Sequence, residues 1–353
     1  MSISGMKGKV QTVLGPIDGQ EMGITLPHEH VFIDMSVWFI EPEGASGKYL
    51  AEQPISRDHP DIGRFRIYPY SNRDNLRLLE EQEAVNELLA FKHAGGRTIV
   101  DNTNVNLARD PDALCRVSRA TGLNIIMGSG YYVGEAQDRD FDSKSEERIA
   151  DEIISDITIG VGLSKVRVGL IGELGCSWPL HDRERKVLRA AARAQKQTGI
   201  PINIHPGRHE DSPMQIIRIL GDAGADLHRV IMSHMDRTPF PLQKRLEMAK
   251  AGCVLEYDVF GWEGYYPTEL AVAHMPNDVQ RIKEIIELAE QGFLNQVLIS
   301  HDICYKTRRY TYGGHGYSHI LRNVVPVMRC WSMSEEDINT IIIENPRRLF
   351  SMA

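Results

Sequence analysis

The sequence predicts a (β/α)8 TIM barrel, one domain spanning residues 1–353, from three observations. Eight short apolar runs recur along the chain. Amphipathic stretches separate them. Residues of metal-ligating type stand just past several of the runs.

The runs, in order, are GITL, RTIVD, NIIMG, VRVGLIGEL, IPINIH, RVIMSH, CVLEYD and QVLISHD. They are strand-sized and rich in Val, Ile and Leu, as strands buried on both faces require. The stretch NLRLLEEQEAVNELLAFKHAGG places Leu76, Leu79, Ala84, Leu88 and Phe91 near a helical period and stops at Gly95-Gly96. DRERKVLRAAARAQKQTG is a second stretch of this kind. Alternating strand and helix implies a parallel sheet with right-handed crossovers, and eight such units close into a barrel. An open doubly wound sheet is the alternative, but no GxGxxG follows the first run. Residues 36–75, rich in Pro, Gly and Arg, predict a long loop inserted after strand one. SEEDINTIIIENPRRLF predicts a closing helix capped by Ser334.

Composition narrows the function. Apolar residues make up 42% of the chain, which argues against disorder. The net charge is −8 and there is no basic block, so neither nucleic acid nor a membrane surface is an expected partner. The apolar runs are too short for a membrane-spanning helix. The opening MSISGMKGKVQTV lacks the apolar segment of a signal peptide. The five cysteines (Cys115, Cys176, Cys253, Cys304 and Cys330) form no CxxC pair, so reduced thiols and a cytoplasmic location are expected.

Catalytic groups of such barrels sit at the C-terminal ends of the strands. Here those ends carry His28 and His30 (in TLPHEH), Glu173, His205, His234 and Asp302. His28 and His30 are two apart and share one face of a strand. One histidine at a strand end is an ordinary structural residue. Six such groups at one mouth carry a large desolvation cost unless a cation joins them. They predict a binuclear site for two divalent ions, zinc foremost, with manganese or cobalt as alternatives. Two histidines and an aspartate suffice for one ion, two further histidines for the other, and a glutamate to bridge them. Such ions acidify bound water towards neutral pH. Asp302 can then carry a proton to the leaving group.

These residues give the chain a family likeness. It resembles the phosphotriesterase family of the amidohydrolase superfamily, most closely its phosphotriesterase-related branch. The likeness rests on VQTVLGPI with GITLPHEH, VGLIGELG, INIHPG, VIMSHMD, ISHD, YGGHGYSHILRNVVPVM and IIENPRRLF, and covers nearly the whole chain. It implies that His28, His30 and Asp302 hold the more buried ion, His205 and His234 the more exposed one, and Glu173 the bridge. The family's phosphotriesterases and lactonases usually bridge with a carboxylated lysine. Glu173 departs from that, as in the related branch, and argues against organophosphates as the main substrate. Lys165, at the start of that strand, is too far away to substitute. The resemblance also allows a homodimer.

The remaining expectations concern the substrate. Lys306, Arg308 and Arg309 in ICYKTRRYTYGGHGYSHI place positive charge near the mouth, and so predict an anionic small-molecule substrate. Gly313, Gly314 and Gly316 would let this loop bend as a lid, and His315 either enters the site or stays on the surface. Tyr132 in GSGYYVG is placed to bond substrate or the bridging water. Tyr257 and Asp258 are placed to shape the leaving-group side, and Trp262 to wall the pocket. His301, next to Asp302, is turned away by strand alternation.

The leading expectation is a metal-dependent hydrolase acting on the carbonyl of a small anionic lactone, ester or N-acyl compound, with a lean towards ester or lactone. The related branch includes enzymes acting on N-acylated small anions, as the resemblance implies. The alternatives are phosphotriester hydrolysis and a non-catalytic, metal-containing binding protein. Structural zinc sites are closed by four protein ligands, which this set does not offer each ion.

Overall fold

All eight apolar runs become strands of one parallel sheet in the computed structural model, which describes residues 5–238, 240–262, 264–265 and 274–352. The strands are β1 (Thr25–Glu29), β2 (Thr98–Asp101), β3 (Asn124–Ser129), β4 (Leu170–Gly175), β5 (Ile202–His205), β6 (Val230–Met232), β7 (Val254–Tyr257) and β8 (Val297–Ile299). They pair in chain order. The Asp302 N–H donates to the His28 carbonyl at 3.2 Å across the seam between β8 and β1, so the sheet nearly closes into a barrel.

Helices α1 (Glu81–His93), α2 (Pro111–Thr121), α3 (Glu146–Thr158), α4 (Asp182–Thr198), α5 (Ser212–Asp222), α6 (Leu242–Lys250) and α7 (Asp278–Glu290) surround it. Ala84, Leu88 and Phe91 are buried as the period of α1 requires. That helix starts later than the pattern, however. Leu79 precedes it and is exposed, while Leu76 is buried in the turn before. Glu81 and Glu83 fill the first turn, where the helix dipole favours acids. α4 ends on Gly199 in the left-handed region at φ 73°. Ser334 caps the closing helix and exchanges hydrogen bonds with Asp337. Residues 36–75 are more than a loop. They carry two short helices, Gly44–Ala51 and Ile62–Ile67, and bring Trp38 and Tyr70 over the mouth.

Two separate apolar cores follow from strand alternation. Val100, Ile126, Leu170, Ile231, Val254 and Leu298 form one inner cluster with Val10, Met22, Leu349 and Phe350. The larger cluster lies between sheet and helices. Following the inward positions upward, Val100 gives way to Asn102, Ile231 to Ser233, Val254 to Glu256 and Asp258, and Leu298 to Ser300 and Asp302. The barrel is therefore apolar at its base and polar at its mouth. No helix among the described residues is long and apolar enough to cross a membrane. All five cysteines are unpaired.

Candidate metal centre

The lowest polar layer braces the ring above it. Glu256 is fully buried, and its Oε2 accepts from Ser233 Oγ at 2.7 Å and Asn203 Nδ2 at 2.9 Å. The same oxygen lies 3.0 Å from His28 Nδ1. The His28 N–H donates to Ser300 Oγ at 3.1 Å. These bonds turn the His28 ring so that Nε2 faces the mouth.

All six expected ligands converge there. His28 Nε2 is buried and has no hydrogen-bond partner. Its nearest acceptors are Glu173 Oε2 at 3.7 Å and Asp302 Oδ1 at 3.9 Å. His30 Nε2 lies 3.2 Å from Asp302 Oδ1 and 3.6 Å from Glu173 Oε2. Most of these gaps are too long for hydrogen bonds, yet they suit atoms that each reach a shared ion at about 2 Å. On the other side, His205 Nδ1 bonds Glu173 Oε1, and His234 Nε2 lies 3.3 Å from that oxygen. His205 Nδ1 and His234 Nε2 are 2.9 Å apart. Glu173 thus turns one oxygen to each histidine pair. An orphaned buried nitrogen beside two carboxylates fits a cation, and the donor set is of the type that zinc and similar ions take.

The outer ring nitrogens are held in turn. His30 Nδ1 is 2.9 Å from Thr103 Oγ1, and His234 Nδ1 is 2.8 Å from Asp258 Oδ1. Such partners fix the orientation of a metal-binding imidazole. Local backbone does the rest. The sheet register slips between Ile171 and Leu174, which turns Glu173 inward where simple alternation from Leu170 would turn it out. His234 and Asp302 adopt left-handed backbone at φ 58° and 51°, costly for non-glycine residues and typical of functional sites.

The electrostatics suit ligands. Burial raises the Glu173 pKa, but His205 and the surrounding imidazoles hold it well below the carboxylate range. Burial and then the Arg237 guanidinium push His205 well below the usual imidazole value, so it offers a lone pair. For His28, burial lowers the pKa but Asp258, Glu173 and Glu256 outweigh it and raise it well above normal. Its surroundings demand positive charge.

A family model matches residues 8–350, and its family is the phosphotriesterase family. The chain belongs to the phosphotriesterase family. It is 43% identical to an N-acetyltaurine hydrolase of Tetraodon nigroviridis over 98% of each chain. It is 42% identical to the human N-acetyltaurine hydrolase over 98% of this chain and 99% of the relative. Among solved structures, a resiniferatoxin-binding protein from Rhodobacter sphaeroides superposes with a TM-score of 0.93 at 34% identity, covering 98% of this chain and 95% of that one. This phosphotriesterase-family chain is a hydrolase.

The expected substrate contacts fare differently in this hydrolase. Lys306 pairs with Asp74 at 2.7 Å. Arg309 is fully buried, donates to the Val31 carbonyl at 2.8 Å and faces Glu83 at 3.6 Å. Arg308 donates to the Phe260 carbonyl at 2.8 Å and lines a neighbouring cavity of about 240 Å³. None of the three lines the cavity over the ring of expected ligands. The glycine loop is no free lid. Glu87 accepts from the N–H groups of Tyr310 and Thr311, and a Cβ on Gly314 would stand 2.3 Å from the Arg308 carbonyl carbon. His315 is exposed and stacks on His319 at 4.2 Å.

Tyr132 does reach the site, 3.3 Å from His205 Nδ1 and 3.2 Å from Trp38 Nε1. Trp262 walls the cavity. Tyr257 turns outward to Arg245 at 3.5 Å, while Asp258 serves the histidines instead of a leaving group. His301 turns away as expected and bonds Glu29 at 2.6 Å. Sequence reasoning missed Arg208 and Arg237, which line the cavity. A signal was present, because each stands three residues past a candidate ligand, in HPGR and HMDR.

Proposed function

We propose that this chain hydrolyses the amide bond of a small N-acylated anion at a binuclear metal centre, with zinc the foremost metal and manganese or cobalt as substitutes. The observation that carries this reading is about 42% identity, over 98% of the chain, to relatives named N-acetyltaurine hydrolase. It favours the N-acyl branch of the expectation over the lactone branch.

Bound ions supply polarisation of the acyl oxygen and a water acidified towards neutral pH. His28, His30 and Asp302 would hold one ion and His205 and His234 the other, with Glu173 between them. Asp302, whose Oδ1 faces His30 Nε2 at 3.2 Å, takes the proton of the attacking water and gives it to the departing nitrogen. Without that transfer the amine is a poor leaving group. The Tyr132 hydroxyl, held by Trp38, donates to the acyl oxygen as negative charge develops. Ile33, Met35 and Leu107 give the cavity an apolar wall beside these groups, suited to a short acyl chain. The unpaired cysteines accord with a reducing, cytoplasmic setting.

The test is a hydrolysis screen of the protein loaded with two equivalents of Zn²⁺, Mn²⁺ or Co²⁺. N-acetyltaurine, N-acyl amino acids, lactones, aryl esters and paraoxon are compared by kcat/KM. N-acyl anions should lead. Paraoxon turnover equal to the best amide would reverse the reading in favour of a phosphotriesterase. A second reading, a metal-containing ligand-binding protein, has in its favour the name of the Rhodobacter sphaeroides relative. Complete lack of turnover with both metals bound would select it.

A further inference from the structure

We propose that Arg237 and Arg208 form the receptor for the anionic end of the substrate, and so select sulfonate- or carboxylate-bearing acyl compounds over neutral ones. The inference deepens, and rests on, the functional reading above.

Arg237 carries the argument. It is 6% exposed and lines the cavity with Glu173, His205, Tyr132 and Asp302. Among the described residues no carboxylate pairs with it, and its Nε is buried without a partner. Buried Arg281 and Arg245, by contrast, each pair with an acid, Asp236 at 2.6 Å and Glu287 at 2.8 Å. An uncompensated buried guanidinium is costly, so the site holds a positive charge that a ligand must repay. Among the described residues its two terminal nitrogens hydrogen-bond only to His205 Nε2 at 2.8 Å and the Pro206 carbonyl at 2.5 Å.

The first of these contacts belongs to one tautomer. Arg237 donates to Nε2 only while that nitrogen is unprotonated. His205 turns Nδ1 towards Glu173 and His234. A ring that gives its Nδ1 lone pair to a cation carries its proton on Nε2. Two donors then face each other, and Arg237 needs another acceptor. Water can serve in the free site, and the oxygens of a substrate anion would take its place.

Arg208 completes the receptor nearer the rim. It is half-buried, its guanidinium carbon lies 5.6 Å from the Trp38 ring centre, and its Nη2 is 3.4 Å from the Tyr70 hydroxyl. Its place beside an aromatic face at the rim brings a second guanidinium charge to the cavity that Arg237 lines. Position follows from sequence. Each arginine is three residues past a candidate ligand, so the strand ends that place the ions also place the cations. One imidazole ring separates Arg237 from the Glu173 and His234 atoms of the cluster.

The experiment uses metal-loaded protein. N-acetyltaurine and its neutral counterpart N-acetylethanolamine are compared by kcat/KM, and ethanesulfonate binding is measured by calorimetry. R237Q and R208Q should each lower the anionic-to-neutral ratio about tenfold or more and weaken ethanesulfonate by a similar factor. R237K should lie between, because it keeps charge and loses the fork. K306Q should leave the ratio within about twofold, as its partner is Asp74. Ratios and binding unchanged in both glutamine variants overturn the receptor. If R237Q does not fold, R208Q and R237K decide. No amide turnover in the wild type, with ethanesulfonate binding lost in the variants, would sink the amide reading and leave the receptor standing. Amide turnover with binding indifferent to both arginines would do the reverse.

Discussion

Asp258 Oδ1 lies 2.8 Å from His234 Nδ1, and its Oδ2 lies 3.1 Å from His28 Nδ1. One carboxylate thus orients an imidazole on each side of Glu173. The amide of Asp258→Asn can accept at only one of these positions. Metal affinity and kcat/KM should each fall by about tenfold to a hundredfold. Metal titration of the apoprotein checks the first and steady-state kinetics the second. An unchanged affinity would confine Asp258 to a packing role.

His28→Asn and His30→Asn should each reduce bound metal from two ions to one and lower turnover more than about a hundredfold. Mass-spectrometric metal counting reads the first effect. His205→Asn should remove the other ion. Two ions with full activity in any of the three would remove that residue from the ligand set.

The glycine loop makes a prediction about stability. Gly314→Ala drives a methyl against the Arg308 backbone, with no side chain to move aside. The variant should lose about 1–3 kcal/mol, read as a lower denaturation midpoint. A neutral result would mean that the loop shifts freely, and the lid reading would return.

Glu284 gives a pH signature outside the site. Burial chiefly, with Asp236 adding and Arg245 opposing, raises its pKa from 4.5 to about 7. The unfolded chain ionises this group first, so folding is penalised increasingly from about pH 4.5 to 7 and steadily above. Glu284→Gln should leave stability unchanged at pH 4 and raise it by roughly 3 kcal/mol at pH 8. Denaturant unfolding at both pH values checks it. A gain of equal size at pH 4 would point to packing instead of charge.

The sequence by itself pointed to a parallel α/β sheet of eight strands, because all eight runs read as strands buried on both faces, while closure into a barrel is decided where Asp302 meets His28 across the seam. It also determined the kind of chemistry, since His28, His30, Glu173, His205, His234 and Asp302 all follow such runs. Alternation puts His28 and His30 on one face, but Leu26 packs outward with Ile99, and a register slip between Leu26 and Glu29 turns that face into the barrel. Glu173 and His234 lie off the inward register of Leu170 and Ile231, and only a slipped ladder and a left-handed backbone turn them in. Those are long-range compromises between neighbouring strands, and no local pattern announces them. The cations divide in the same way. Lys306, Arg308 and Arg309 read as a basic loop, yet tertiary packing gives each an acid or a carbonyl elsewhere. Arg208 and Arg237, each inconspicuous in the chain, meet at the cavity because β5 and β6 are adjacent in the sheet. A charge pattern records how many cations a segment holds. Which of them face the cavity depends on where the fold carries their strand ends.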